Sequence, residues 1–247
     1  RVTVITGAPN FPEGKVFHGY KNVFFKREFL SGINVFRVWT FIAPNKGFFL
    51  RIIDYLSFMI ASFFCGIFTK KHDVVIATSP QFFTACSGWL LSIFLRRPFV
   101  FELRDIWPAS IVAVGASKNS LIINFLEKLE LFLYKKSKII IAVTNSFKED
   151  LINRGIDDKK IFVVRNGVDL KVYKPPEIKD YGLLKKYSLE NKFVIGYIGT
   201  HGLAQGLEVV IQAAEKLKNN SKIMFMFIGS GASKNKLVRI AQEKKLD

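Results

Sequence analysis

Residues 193–206 read FVIGYIGTHGLAQG, and this stretch decides the fold class. The apolar run Phe193 to Ile198 predicts a buried strand, which a glycine-rich turn follows directly. Leu207 to Leu217 then has the spacing of a helix, and Ile223 to Ile228 reads as another strand. The order strand, turn, helix, strand is typical of parallel sheets. This part of the chain therefore predicts the beginning of an α/β domain.

The residues before this stretch show the same alternation of strands and helices. Short runs rich in Val, Ile and Phe alternate with helical stretches, at 2–5, 34–39, 73–77, 99–103, 138–143 and 161–164. A polar stretch, Lys171 to Asn191, contains Pro175-Pro176 and reads as a linker. We therefore expect a domain over residues 1–178, and a linker with the first part of a second domain over residues 179–247.

The composition indicates a folded protein with anionic partners. The 247 residues include 49% apolar residues and carry a formal net charge of +17, with a pI near 9.9. Nucleic acid, an acidic membrane and phosphorylated small molecules all fit that charge. The sequence has no RNA-binding aromatic signature and no helix-turn-helix pattern, so we do not expect nucleic acid. Cys65 and Cys86 lack metal-ligand spacing, which disfavours a zinc site and suits a reducing cytosol.

The longest apolar run extends from Tyr55 to Phe68 and falls short of the ~20 residues that a membrane-spanning helix needs. We expect that it does not span. It is rich in aromatic residues and is flanked by Arg51 and by Lys70-Lys71. A buried helix of an α/β layer is the favoured interpretation. The alternative is a helix that rests on an anionic membrane with its apolar side down.

The turn after the first strand of the second domain is a candidate diphosphate cradle. Its glycines would let backbone amides approach an anion closely, next to the positive end of a helix. Its spacing matches neither the dinucleotide fingerprint nor a P-loop, and tight turns often need glycine for geometry alone. The predicted donor-binding residues of this turn are Gly199, Thr200, His201, Gly202, Gln205 and Gly206.

Two further stretches follow predicted strands of the first domain. Arg104 and Asp105 lie where open α/β sheets place their ligands, although an Arg-Asp pair can also simply tie down a loop. Asn166 follows a later strand and precedes the linker, so the turn lies at the mouth of the expected cleft, and Arg165 beside it could face a phosphate. A bare Asn-Gly turn is the structural alternative. No nucleophile signature is visible, which disfavours a covalent hydrolase.

Four motifs in order make the chain resemble retaining glycosyltransferase family four. They are FELRDIWP at 101–108, TNSFK at 144–148, RNGVD at 165–169 and GYIGTHGLAQGL at 196–207. The resemblance implies the GT-B fold, an α/β architecture of two Rossmann-like domains that face a cleft. TGAPNFP at 6–12 and RVWT at 37–40 resemble a narrower bacterial branch that builds O-antigen or capsule and includes N-acetyl-L-fucosamine transferases.

The resemblance also implies a mechanism and two missing parts. Family members usually have a strand, a Gly-rich loop and a helix before the run at Val2, and a paired-glutamate motif after the region that ends here at Asp247. We therefore expect the N-terminal edge and most of the C-terminal domain to be absent, and the chain alone to be inactive in transfer. Family members transfer with retention and need no metal or other cofactor. Many use an Arg and a Lys where this chain has Thr200, His201 and Gln205.

The expected function is a glycosyltransferase that moves a sugar, expected to be N-acetylated and from a UDP donor, to a polyprenyl diphosphate-linked saccharide. Arg104 and Asp105 are its predicted catalytic residues on the acceptor side. The expected location is the cytoplasmic face of a bacterial plasma membrane, with the anionic surface as a further partner. The alternatives are a sugar-nucleotide epimerase of the same architecture and a non-catalytic basic membrane-binding module.

Overall fold

The computed structural model describes residues 2–10, 14–42, 48–69, 72–79, 81–106, 120–175 and 178–246. The chain forms two compact units, Arg1–Gly167 and Val168–Asp247, called the first and the second unit below. This division, after Gly167, lies 11 residues before the end of the first domain that the sequence predicts at residue 178. Each unit has parallel strands with helices, so the predicted α/β class is confirmed.

The first unit begins with a three-stranded sheet of β1 (Thr3–Thr6), β2 (Phe25–Leu30) and β3 (Ile33–Val38). β1 and β3 are parallel, whereas β2 and β3 form an antiparallel hairpin. Ser31 and Gly32 close the hairpin with φ of 47° and 84°, the positive values that a tight hairpin turn requires. β2 is not predicted from the sequence, because its three charged residues at 26–28 interrupt the apolar pattern.

The second sheet of this unit is fully parallel. Its strands lie in the order β4 (Val75–Thr78), β5 (Phe99–Leu103), β6 (Ile139–Ala142) and β7 (Ile161–Val163). The helices that the structure describes between them are α2 (Phe82–Leu95), α3 (Ser120–Lys136) and α4 (Asn145–Asn153). Phe101, Leu103 and Ile140 are buried in the core between strands and helices. Burial on both faces of the sheet explains why β5 and β6 read as nearly continuous apolar runs.

Helix α1 (Phe48–Ile67) corrects the interpretation of the apolar run at 55–68. The helix has 20 residues, and Leu50–Ile67 is long and apolar enough to cross a membrane by length and composition alone. The run looked too short because Arg51 and Asp54 interrupt the apolar letters, whereas the helix continues through both. Only 17% of that window is buried. α1 is therefore not the buried helix that was expected, because it packs on one face and exposes the other.

The second unit contains a two-stranded parallel sheet of β8 (Phe193–Ile198) and β9 (Ile223–Ile228). Helices α6 (Glu208–Leu217) and α7 (Lys234–Glu243) contribute Ile211 and Leu237 to its small core. The stretch at 171–191 is not wholly a linker, because it forms the short helix α5 (Tyr181–Lys186). Asp180 caps this helix by accepting a hydrogen bond from the backbone N–H of Leu183 at 3.0 Å.

Candidate functional site

Arg104 and Asp105 lie at the carboxyl edge of the parallel sheet in the first unit, directly after β5. The hydroxyl oxygen of Ser79, after β4, accepts hydrogen bonds from their backbone N–H groups at 2.9 and 3.2 Å. The same hydroxyl donates to the carbonyl oxygen of Asp105 at 3.3 Å. These bonds of the buried Ser79 tie the ends of β4 and β5 together. The Arg104 side chain stays exposed. Trp107 and Pro108, which complete the motif, lie outside the described residues.

A polar cavity of about 300 Å³ opens at the carboxyl ends of β1 and β3. Its lining includes residues from both strand ends, from the first turns of α1 and from the loop after β4: Arg37, Thr40, Arg51, Asp54, Tyr55 and Gln81. Parallel sheets bind ligands at this edge. The sequence analysis named none of these as site residues, although the end position of Arg37 on an apolar strand was a usable signal.

Arg37 is held firmly in the wall of this cavity. Its Nε donates to Glu28 Oε2 at 2.8 Å, and its NH1 donates to the carbonyl oxygen of Gly7 at 3.1 Å. The guanidinium also lies 4.8 Å from the ring centroid of Tyr20. Hydrogen bonds from Lys26 and then from Arg37 hold the pKa of Glu28 below its usual value. Glu28 is shared between Lys26 and Arg37, so it only partly offsets their charge and mainly fixes the orientation of the Arg37 guanidinium.

Arg51 is the less restrained cation of the cavity. Its NH2 donates to the hydroxyl of Tyr55 at 2.6 Å, one turn along α1. Within the described part of the chain, Arg51 forms no ion pair with a carboxylate. An exposed guanidinium without a carboxylate partner suits an anionic ligand such as a phosphate.

The glycine-rich turn of the second unit crosses a second loop at the carboxyl edge of β8 and β9. The N–H of Gly199 donates to the carbonyl oxygen of Ile228 at 2.9 Å, and the N–H of His201 donates to that of Ser230 at 2.9 Å. A Cβ atom at Gly229 would lie 1.8 Å from the carbonyl oxygen of Gly199, and one at Gly231 would lie 2.5 Å from that of His201. These two backbones approach so closely that only glycine fits.

The predicted donor-binding residues of the turn differ in how exposed they are. Thr200 and Gln205 are exposed, and Gly206 adopts a φ of 56°. His201 is only 4% exposed, with its ring centroid 5.9 Å from that of Tyr197 and 6.2 Å from that of Phe227. Its Nε2 is shielded from solvent and has no hydrogen-bond partner among the described residues. Contact between this imidazole and a ligand therefore requires the crossing loop to move.

Lys234 is a cation at this crossing that the sequence analysis did not name. It lies in the first turn of α7, and its Nζ donates to the carbonyl oxygen of Gly229 at 3.2 Å. The ammonium is thereby placed beside the turn that was predicted to hold a diphosphate. Gly-Ser-Gly at 229–231, just before this lysine, can be recognised in the sequence. The contact of that loop with the glycine-rich turn cannot.

Arg165 and Asn166 lie in the first unit after β7, and both are exposed. The glycine-rich turn belongs to the second unit. A shared role in donor binding for these residues and the turn stays a prediction. Within the described ranges, no group of three or more His, Cys, Asp and Glu residues is placed to hold a metal ion.

Comparison with protein families matches residues 1–172 to the model described as Glycosyltransferase Family 4. The chain is 24% identical over 252 residues to the putative colanic acid biosynthesis glycosyl transferase WcaI of Escherichia coli K12, covering 99% of the chain and 61% of WcaI. It is 24% identical over 164 residues to the probable glycosyltransferase WbjE of Pseudomonas aeruginosa, covering 66% of the chain and 41% of WbjE. The chain thus spans only part of the length of these relatives.

Two solved structures show the same fold at low identity. Anabaena HepE, crystallised in complex with UDP, aligns with a TM-score of 0.61 and 17% identity over 87% of this chain and 53% of its own. Sucrose-phosphate synthase of Thermosynechococcus elongatus aligns with a TM-score of 0.68 and 11% identity over 98% of this chain and 58% of its own. At these identities the likeness supports the fold.

Proposed function

The chain belongs to glycosyltransferase family 4, and on that premise we propose that it carries the acceptor side and the start of the donor side of a UDP-sugar-dependent glycosyltransferase. The observation that carries the donor assignment is the crossing of residues 199–201 with residues 229–231. It leaves a bare backbone surface at the carboxyl edge of β8 and β9, with Lys234 beside it. Backbone amides and a nearby cation are what a nucleoside diphosphate requires.

The donor contact uses only part of the predicted turn. Because the amides of Gly199 and His201 already donate to Ile228 and Ser230, they are not available to a ligand. Exposed Thr200 and Gln205, the amide of Gly202 and the ammonium of Lys234 form the contact surface in this proposal. Lys234 supplies the charge that many family members take from an Arg and a Lys of the turn. The buried His201 ring packs against Tyr197 and Phe227 and thereby holds the turn in place.

The acceptor binds in the polar cavity of the first unit. A diphosphate-linked acceptor suits Arg51, and Arg104 and Asp105 at the neighbouring strand end suit the saccharide hydroxyl that reacts. The finer proposals are that the reaction retains the configuration at the anomeric carbon, needs no metal, and transfers an N-acetylated sugar to a polyprenyl diphosphate-linked saccharide in O-antigen or capsule synthesis. The name of WcaI, which mentions colanic acid biosynthesis, supports a role in polysaccharide assembly.

The donor assignment is tested by titrating the chain with UDP and, separately, with uridine. We expect UDP to bind and uridine to bind far more weakly, because the diphosphate makes the contacts described above. Lys234→Gln removes one charge-assisted contact and should weaken UDP binding about tenfold. Lys216→Gln, an exposed lysine on α6, is the matched control and should change nothing.

Two outcomes would contradict the proposal. Equal affinity for UDP and uridine would show that no diphosphate site exists in the second unit. Conversion of UDP-N-acetylglucosamine to an epimer with no acceptor present would identify the epimerase of the same architecture instead.

A further inference from the structure

Helices α1 and α2 present one continuous apolar face to solvent, called the apolar face below. It contains Phe64 on α1 and Phe68 directly after α1, which are 57% and 86% exposed, and Phe94 on α2, which is 60% exposed. Phe63 connects the two helices, with its ring centroid 5.6 Å from that of Phe64 and 6.2 Å from that of Phe94. The remaining members of the apolar face are Ile60, Leu90 and Ile93.

The apolar face lies beside the surface that the two helices use to pack against each other. The packed surface contains Ser62 and Ser87, whose hydroxyl oxygens lie 2.8 Å apart, and Gly66, which lies against the side chain of Leu91. Phe94 also reaches the other helix through Phe63, yet 60% of its side chain stays exposed. Several large side chains clustered in water are unfavourable by about 1.5–3 kcal/mol each relative to burial, so such a patch indicates an interaction site.

A basic cavity of about 450 Å³ adjoins the apolar face at the amino edge of the parallel sheet. Ile93 belongs to both, and the cavity is also lined by Trp89, Arg97, Lys136 and Lys138. Among the residues that the structure describes, the lining contains three cations and no carboxylate. None of these cations forms an ion pair with another described residue. The cavity can therefore take an anion the size of a phosphate with its substituents.

The chain itself places these cations around the cavity. α2 ends at Leu95, and the amides of Arg96 and Arg97 cap it by donating to the carbonyl oxygens of Ile93 and Ser92. The N–H of Lys138 donates to the carbonyl oxygen of Phe99 at 2.8 Å, where β6 begins beside β5. The end of α2 and the junction of α3 with β6 are thus fixed next to each other by backbone bonds.

We propose that the apolar face and the basic cavity together bind the surface of an anionic phospholipid bilayer, with a lipid phosphate in the cavity and the phenylalanines among the acyl chains. Interfacial membrane binding requires this combination of exposed large apolar side chains with adjacent Lys and Arg. A second copy of the chain would bring three cations against the same three cations, which charge repulsion opposes. Nucleic acid would leave the phenylalanines in water. This surface lies at the amino edge of the sheet, and membrane binding through it does not require the transfer reaction.

Co-sedimentation of the chain with phosphatidylcholine vesicles, with and without phosphatidylglycerol, tests the proposal. The wild type should partition onto vesicles that contain phosphatidylglycerol, more weakly in high salt, and hardly onto pure phosphatidylcholine. The cavity variant Arg97→Gln/Lys136→Gln/Lys138→Gln should lower the partition coefficient about fivefold per residue, or about 100-fold in all. The matched control, Lys185→Gln/Lys216→Gln/Lys218→Gln, removes the same charge elsewhere and should lower it only slightly.

The apolar face is tested with Phe64→Gln/Phe94→Gln. This variant should lose at least about tenfold in partitioning at any salt concentration, because it removes buried apolar area rather than charge. Phe24→Gln/Phe29→Gln, two exposed phenylalanines outside the apolar face, is its control and should bind like the wild type. Thermal unfolding of all four variants checks that each one folds.

Several outcomes would overturn the proposal. Equal losses in the cavity variant and its charge control would show that binding follows net charge alone. Binding of free glycerol phosphate in the cavity, without partitioning of the wild type onto vesicles, would show that the cavity binds a soluble phosphate rather than a bilayer. A dimer in gel filtration that Phe64→Gln/Phe94→Gln dissociates, without vesicle binding by the wild type, would assign the face to a second copy. UDP titration of the same samples reports the donor site separately, so each proposal can fail without the other.

Discussion

Replacing Gly229 with Ala probes the loop crossing in the second unit. The added Cβ would lie 1.8 Å from the carbonyl oxygen of Gly199 and 3.1 Å from Nε2 of His201. The first distance is far below any that a real Cβ atom tolerates, and the neighbour is backbone, which no rotamer change can move away. The two loops must therefore separate for the variant to fold.

The expected cost follows from what that separation breaks. The crossing holds the bonds from the Gly199 amide to Ile228 and from the His201 amide to Ser230, each 2.9 Å long. Forcing a methyl group into packed structure costs about 1–3 kcal/mol, and each lost backbone bond costs about 1 kcal/mol. We expect Gly229→Ala to destabilise the second unit by about 3 to 5 kcal/mol and to abolish UDP binding.

Thermal unfolding, together with hydrogen exchange at the amides of Gly199 and His201, measures this effect. The matched control is Gly196→Ala in β8, where an added Cβ meets no atom within 4 Å. That variant should be neutral or slightly stabilising, because alanine restricts the unfolded chain. If Gly229→Ala kept the wild-type melting temperature and full protection of both amides, the close crossing would be wrong.

Two further predictions concern buried titratable groups in the first unit. Burial raises the pKa of Glu130, although Tyr134 and Arg154 donate hydrogen bonds to its carboxylate. The protonated Glu130 side chain therefore stabilises the fold fully when the pH is below the usual glutamate pKa. This stabilisation is lost as the pH rises through the raised pKa. Thermal unfolding from about pH 4 to about pH 8 should show Glu130→Gln gaining on the wild type as the pH rises, and a constant difference would contradict this. Burial raises the pKa of Cys86 to about 12, so at neutral pH its thiol should react with a disulfide reagent more slowly than the thiol of half-buried Cys65. Adding denaturant should remove this difference. Equal reaction rates in the folded protein would contradict the burial of Cys86.

The strands that lie inside the sheets could be predicted from the sequence, and two other elements could not. β5 was predicted with its exact bounds, because burial on both faces demands an apolar run such as FVFEL. β2 was missed, since a strand paired on one side tolerates Lys26 and Glu28, which form an ion pair at 2.6 Å. The apolar run at 55–68 is shorter than a membrane-spanning helix, whereas α1 is long enough, because isolated charges end an apolar run in the sequence but do not end a helix.

The candidate site divides in the same way. Arg104, Asp105 and the glycine-rich turn could be located because each directly follows a strand, and in parallel sheets that position implies the ligand edge. Ser79 could not be located, because its place depends on hydrogen bonds with residues 104–105, 25 residues or more along the chain. The roles of Arg51 and Lys234 could not be located either, because segments distant in the chain form the cavity and the loop crossing beside them. The shielding of His201 could not be foreseen either, since it depends on the loop at 229–231.

By itself, the sequence determined the class of fold, the positions of most of its strands along the chain and the turns that lie at the ligand edge. These properties follow from local patterns, namely apolar periodicity and glycine beside a strand, which act over a few residues. Tertiary structure alone decided which face of α1 is exposed and which lysines surround one cavity. It also decided that Gly229 and Gly231 must be glycines. Those properties depend on distances between backbones that are remote along the chain, and no local pattern encodes such a distance.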